Sequence, residues 1–276
     1  MPTKIKNRTA VNKPIGIFDS GFGGLTVMSE IRKSLPAENI IYFGDTAHVP
    51  YGSKSKNTVI KFAKDIADFL IKKDVKLVVV ACNTASAFAL DYLKKHLSVP
   101  VIGVIEPGSK AAAAVTKNKN IGVIGTEGTV KSGSYLKAIK KISKYSVSQQ
   151  ACPLFVPLVE EGWVENDITD SVVKHYLKPL LKKNIDTLVL GCTHYPLLKN
   201  TLQKNVGKKI TLIDSAKATA NEVKNVLEKN NLYSQQKKKG TLAFYVSDNP
   251  EKFAAIGRKF FSDKISKVQK VSLERA

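Results

Sequence analysis

The stretches LVVVACNTASA (residues 77–87) and LVLGCTHYPLL (residues 188–198) decide the fold of this chain. Each is a run of apolar residues that ends at a cysteine, with polar residues directly after it. A short run that is apolar at every position is typical of a parallel strand buried on both faces of a sheet. In an open parallel sheet, ligands bind outside the carboxyl ends of the strands. The two stretches therefore predict that Cys82 and Cys192 each lie at a ligand-binding edge.

Strand-like and helix-like segments alternate on both sides of the first stretch. Residues 58–73, for example, place apolar side chains at the spacing of one helical face. This alternation indicates βαβ units and a parallel sheet, so the predicted fold class is α/β. The predicted strands are residues 14–20, 39–45, 76–82 and 100–104, and the predicted helices are residues 23–36, 58–73 and 85–97.

The second half of the chain repeats the pattern of the first. Residues 120–130 resemble residues 14–24, and residues 187–198 resemble residues 77–88. A repeat of this length predicts two pseudo-symmetric lobes with mostly parallel sheets and an active site in the cleft between them. The predicted divisions are a basic N-terminal arm (residues 1–13), a first lobe (residues 14–105 plus 215–276) and a second lobe (residues 106–214).

The charge of the chain is strongly positive, at +21. Because Lys supplies nearly all of the positive charge and Arg is rare, the pattern favours solvated basic surfaces over specific nucleic-acid binding. No apolar stretch approaches the ~20 residues that span a membrane, and the basic N-terminus lacks the apolar core of a secretory signal. The expected location is therefore the cytoplasm.

The cysteine count argues against disulfides and structural zinc. There are three cysteines and no CxxC pair. A zinc site from Cys82, Cys192 and His194 would lack the usual ligand spacing, so no metal is predicted. Cys152 lies in a strand-like run and is expected to be a core residue.

Two thiols that face one cleft suggest a definite chemistry. One thiolate can remove a proton from a carbon atom, and the other thiol can return a proton to the opposite face, as in a cofactor-free racemase or epimerase. A helix start after each strand would favour the thiolate. Asp19 could assist Cys82, and His194 could assist Cys192. A single cysteine at such a position is more often a packing residue, but the paired placement favours the catalytic interpretation.

Five segments, taken together, resemble motifs of the glutamate racemases in the aspartate/glutamate racemase superfamily. The resemblance implies reversible interconversion of L-glutamate and D-glutamate, without pyridoxal phosphate, metal or nucleotide. It also implies that the D-glutamate is used in peptidoglycan synthesis and so in cell wall biogenesis and cell shape. The segments are GIFDSGFGGLTV (16–27), YFGDTAHVPYG (42–52), VVACNTASA (79–87), PLFVPLVEEG (153–162) and LGCTHYPLL (190–198).

The same resemblance assigns roles to individual residues. Cys82 and Cys192 match the two acid/base residues, and Asp19 and His194 match groups that assist proton transfer. Glu160 matches a family carboxylate near the second cysteine and is placed with the catalytic residues. The matching substrate-binding residues are Asp19, Ser20, Tyr51, Gly52, Asn83, Thr84, Thr193 and His194, with Thr126 and Thr129 as further candidates.

The resemblance leaves alternatives open. A related racemase would act on aspartate or another acidic compound with the same thiols and different carboxylate donors. A basic protein that binds gyrase or nucleic acid is the alternative from another class, although the paired cysteines argue against it. A homodimer is compatible with the sequence. The chain crossings near residues 105 and 215 are expected to let the lobes close on the substrate.

Overall fold

The computed structural model describes residues 10–261, 263, 265 and 267–273. Most of the predicted N-terminal arm, residues 1–9, lies outside the described residues. Two parallel sheets organise the rest of the chain. The strands are β1 (Ile15–Asp19), β2 (Ile40–Gly44), β3 (Leu77–Val80), β4 (Val101–Gly103), β5 (Asn120–Gly125), β6 (Ser146–Ala151), β7 (Thr187–Gly191), β8 (Thr211–Asp214), β9 (Leu242–Val246) and β10 (Val268–Lys270).

The topology of the two sheets repeats. The first sheet has the order β10-β9-β2-β1-β3-β4, and the second has the order β6-β5-β7-β8. The segment β2-β1-β3-β4 therefore corresponds strand for strand to the whole second sheet, and all pairings are parallel. Strands β9 and β10 extend only the first sheet, also in parallel. The α/β fold with two sets of parallel strands is thus confirmed.

Helices connect the strands in both sheets. They are α1 (Leu25–Ser34), α2 (Lys56–Lys72), α3 (Asn83–His96), α4 (Ile105–Val115), α5 (Glu127–Ser132), α6 (Ser134–Ile142), α7 (Phe155–Glu161), α8 (Asp167–Leu181), α9 (Lys199–Val206), α10 (Ser215–Lys229) and α11 (Pro250–Gly257). The chain passes from the first sheet to the second through α4 and returns through α10, and these two helices pack together.

Apolar residues bury the central strands β1, β3 and β7 on both faces, as the continuous apolar runs predicted. One cluster contains Val79 of the first sheet and Leu190 of the second, so the two lobes share a core. Separate clusters cover the opposite faces, around Val78 in the first sheet and Val189 in the second. The shared core brings the carboxyl ends of both sheets to one cleft.

Candidate active site

The two cysteines singled out by the sequence line one small cavity between the lobes. Cys82 follows β3 from the first lobe, and Cys192 follows β7 from the second. The cavity has a volume of about 20 Å³, and both cysteines contribute to its lining. This is room for about one water molecule. The described state is therefore a closed cleft.

Cys82 is the N-cap residue of α3. Its Sγ accepts a hydrogen bond from the Ala85 backbone N–H at 3.4 Å and lies 3.6 Å from the Ser20 hydroxyl. Burial and the nearby charge of Asp19 raise the pKa of Cys82 to about 12, outweighing these hydrogen bonds. The helix start therefore favours the thiolate through the Ala85 N–H, as expected, but burial and Asp19 outweigh its effect on Cys82 in the closed cleft.

Cys192 has an imidazole beside it. His194 Nδ1 lies 3.9 Å from Cys192 Sγ, and His194 Nε2 lies 3.1 Å from Glu160 Oε1. Burial lowers the pKa of His194, but the hydrogen bonds to Cys192 and Glu160 and the charges of Cys192 and Asp19 raise it overall, to about 10. The imidazole is therefore protonated at neutral pH, and it places a positive charge beside the Cys192 sulfur.

Asp19 lies behind the cavity, at the end of β1, and is fully buried. Its carboxylate accepts hydrogen bonds from the Gly21 backbone N–H at 3.0 Å and from the Thr193 hydroxyl at 3.4 Å. Burial raises the pKa of Asp19, while the His194 charge and these hydrogen bonds lower it. The Thr193 bond crosses from the second lobe to the first, so Asp19 is a point of contact between them.

Polar side chains from both lobes surround the thiols. The predicted substrate-binding residues in the lining are Ser20, Tyr51, Gly52, Asn83, Thr84, Thr193 and His194. Asp19 and Glu160 are connected to this lining through hydrogen bonds. Thr84 Oγ1 lies 2.8 Å from Thr126 Oγ1 and 3.2 Å from Thr129 Oγ1, which joins the lobes by hydroxyl groups. All the predicted site residues therefore meet at this cleft.

Some residues of the site were not predicted from the sequence. Val49, Pro50 and Val156 supply apolar lining. The Tyr51 hydroxyl donates a hydrogen bond to the buried Asp45 carboxylate at 2.5 Å. His48 Nδ1 lies 2.8 Å from the same carboxylate. Val156 lies within the quoted segment 153–162 and the other residues lie within the segment 42–52, but only the folded chain gives their directions.

Within residues 10–261, 263, 265 and 267–273, no group of three His, Cys, Asp or Glu side chains is arranged to hold a metal ion. Over the same ranges, no helix combines the length and the apolar composition of a membrane span.

Known proteins share both the sequence and the fold. The model of the Asp/Glu/hydantoin racemase family matches residues 15–223. A glutamate racemase from Geobacter metallireducens is 52% identical over 263 residues, which cover 95% of this chain and 97% of that protein. The crystal structure of glutamate racemase isoform RacE1 from Bacillus anthracis has a TM-score of 0.91 at 42% identity, covering 95% of this chain and 98% of that one. Glutamate racemase from Francisella tularensis in complex with D-glutamate has a TM-score of 0.90 at 40% identity, covering 96% of this chain and 99% of that one.

The chain belongs to the Asp/Glu/hydantoin racemase family, as its motifs predicted. Within that family, its sequence and fold match glutamate racemases over nearly the whole chain.

Proposed function

We propose that this protein is a glutamate racemase that interconverts L-glutamate and D-glutamate with two cysteines as acid and base. The observation that carries the proposal is that Cys82 and Cys192 reach one cavity from opposite lobes. The similarity to glutamate racemases supports the choice of substrate. The proposed role of the product is in peptidoglycan synthesis, and the proposed location is the cytoplasm.

Each turnover transfers two protons. A cysteine thiolate takes the proton from Cα of glutamate on one face and becomes a thiol. The thiol of the other cysteine then gives its proton to the opposite face and becomes a thiolate, which leaves the mirror-image amino acid. On the Cys192 side, protonated His194 stabilises the thiolate, and Glu160 stabilises the imidazolium. On the Cys82 side, Asp19 is the neighbouring charge, and Ser20 contacts the sulfur.

Neutral donors would hold the two carboxylates of glutamate. Ser20, Asn83, Thr84 and Thr193 present hydroxyl or amide groups in the lining. Hydrogen bonds to an ionised acceptor are stronger than bonds between neutral groups, especially where water is excluded. We therefore assign these residues, with Tyr51 and Gly52, to substrate binding.

The cleft must open for glutamate to enter. A cavity of about 20 Å³ is too small for an amino acid. The divisions at residues 105 and 215 coincide with the start of α4 and of α10, where the chain passes between the sheets. We propose that the lobes separate about these two crossings and close over the bound substrate.

The test is incubation with L-glutamate in D2O without added cofactor. Deuterium is expected to enter Cα as the optical rotation decays. Cys82→Ser and Cys192→Ser are each expected to abolish racemisation, whereas Cys152→Ser is the matched control. Cys152 is fully buried and follows β6, and it is absent from the cavity lining, so its replacement should leave turnover close to that of the wild type.

Several outcomes would contradict the proposal. Dependence on pyridoxal phosphate would refute the mechanism, and loss of activity in only one cysteine variant would indicate a one-base reaction. Faster turnover of aspartate than of glutamate would indicate a related racemase that acts on aspartate. Salt-dependent retention on DNA without turnover would favour a nucleic-acid-binding protein.

A further inference from the structure

The NH2 group of the Asn83 side chain makes no hydrogen bond within the described residues. The residue is 3% exposed, lies at the start of α3 and contributes to the lining of the cavity. Its Nδ2 atom is buried and has no hydrogen-bond partner among the described residues. A buried amide N–H without an acceptor has lost its hydrogen bonds to water and gained none in return, which is unfavourable. The amide therefore needs an acceptor that the closed protein does not supply.

The other side of the amide is fixed from the opposite lobe. The Tyr135 hydroxyl, on α6, donates to Asn83 Oδ1 at 2.7 Å. Burial raises the pKa of Tyr135, so the hydroxyl keeps its proton and acts as a donor. Because Oδ1 already accepts from Tyr135, the unpaired NH2 group is the part of the Asn83 amide that still needs a partner in the cavity.

The ring of Tyr135 is held in place by the close approach of two glycines. Tyr135 is fully buried. A Cβ atom on Gly191 would lie 3.1 Å from the Tyr135 ring, and a Cβ atom on Gly108 would lie 3.4 Å from its hydroxyl oxygen. Gly191 directly precedes Cys192, and Gly108 lies on α4, the first crossing between the sheets. The hydroxyl therefore has a fixed position relative to one thiol and to one crossing.

We propose that Tyr135 is a positioning residue that orients the Asn83 amide so that its NH2 group receives a carboxylate of the substrate. The proposal rests on the proposed function, because the acceptor it names is a carboxylate of glutamate. In the reverse orientation, Oδ1 would face the anionic carboxylate and repel it. The Tyr135 hydroxyl thereby contributes to carboxylate binding without touching the substrate.

A double-mutant cycle tests whether Tyr135 acts through Asn83. The variants are Tyr135→Phe, Asn83→Ala and the two combined, assayed for KM and kcat with both glutamate enantiomers. Tyr135→Phe is expected to raise KM by about tenfold and to leave kcat within about twofold, as for the loss of a binding interaction shared by ground and transition states. The combined variant is expected to match Asn83→Ala alone.

The matched control is Tyr145→Phe. Tyr145 packs against the same apolar cluster as Tyr135, and its hydroxyl donates to the Ala113 backbone carbonyl on α4 at 3.4 Å, away from the cavity lining. Its KM should equal that of the wild type. Independent, multiplying effects of Tyr135→Phe and Asn83→Ala would overturn the proposal, and so would an unchanged KM in Tyr135→Phe.

A second measurement does not require turnover, so it separates this proposal from the proposed function. In protein labelled with 15N at asparagine, the Asn83 side-chain signals are identified by their loss in Asn83→Ala. They are expected to shift in Tyr135→Phe and not in Tyr145→Phe. Signals unmoved by Tyr135→Phe would overturn the positioning role even if the wild type racemises glutamate. A wild type inactive on glutamate, with the shift observed, would instead refute the proposed substrate.

Discussion

Gly23→Ala is expected to prevent closure of the cleft while leaving each lobe folded. Gly23 lies in the turn after β1 and faces the second lobe. A Cβ atom there would lie 2.6 Å from His194 Nδ1 and would also overlap Thr193 Oγ1, and real Cβ contacts below 3.0 Å essentially never occur. Gly23 does not have a positive φ, so alanine can adopt its backbone conformation without strain. The conflict therefore falls between the lobes.

The size of the effect follows from the position of His194. The imidazole is held between Cys192 at 3.9 Å and Glu160 at 3.1 Å, so it cannot swing aside without breaking both contacts. Ordinary van der Waals contact begins at 3.4 Å, so the second lobe must withdraw by about 0.8 Å from the 2.6 Å position. Cys192 withdraws with it. Because a misplacement of about 1 Å can lower a rate about 100-fold, kcat/KM should fall by about that factor.

The assay compares racemisation and thermal unfolding of Gly23→Ala with those of Gly16→Ala. In Gly16→Ala the new methyl group meets only the Val75 and Leu70 side chains of the first lobe, at 3.1 and 3.2 Å. Gly16→Ala should lower the melting temperature slightly and keep the activity. Gly23→Ala should keep the melting temperature and lower the activity. If Gly23→Ala kept more than about half of the wild-type kcat/KM, the inferred contact between Gly23 and His194 during turnover would be refuted.

Three further predictions concern buried charges. Lys76 and Glu38 form an ion pair at 2.5 Å with both side chains 1% exposed, so Lys76→Met should lower the free energy of unfolding in urea by about 3–5 kcal/mol, and adding Glu38→Leu should restore part of the loss. Glu160→Gln removes an interaction that raises the pKa of His194, so the alkaline limb of the pH–rate profile should move to lower pH, while Glu161→Gln, at an exposed neighbour, should leave it in place. The folded-state pKa of His194, about 10, lies above its ordinary value of 6.5. Protonation of His194 therefore stabilises the folded state fully below about pH 6.5, and this contribution disappears as the pH rises through 10. In urea unfolding, His194→Asn should lose less stability over this pH range than the wild type.

Where the thiols lie could be predicted from the sequence, because the cause is local. An apolar run followed by Cys and polar residues gives a parallel strand with a thiol at its carboxyl end, and β3 and β7 end as the runs at residues 77–87 and 188–198 indicated. The repeated strand order was also implied by the repeated sequence. These features depend on burial and periodicity within short segments.

Other features depend on contacts that a linear pattern does not contain. Residues 155–162 resemble residues 48–52, yet the first segment forms α7 and the second contains only the short 3-10 turn Tyr51–Ser53. The sequence similarity of the two segments did not imply the same conformation, because each segment packs against different neighbours. The bond from Tyr135 to Asn83 joins different lobes across 52 positions. Such contacts arise only once the two crossings have set the lobes together.

The internal repeat places the two thiols in equivalent positions, but the charged side chains near them differ. Cys82 has a buried carboxylate nearby, and its pKa is raised to about 12, so it carries its proton at neutral pH. Cys192 instead has the protonated imidazole of His194 at 3.9 Å. Two-base racemisation requires one thiol and one thiolate at the same time, and two thiolates in a closed cavity would repel each other strongly. Unequal neighbours on an approximately symmetric scaffold therefore suit the proposed chemistry better than two identical half-sites would.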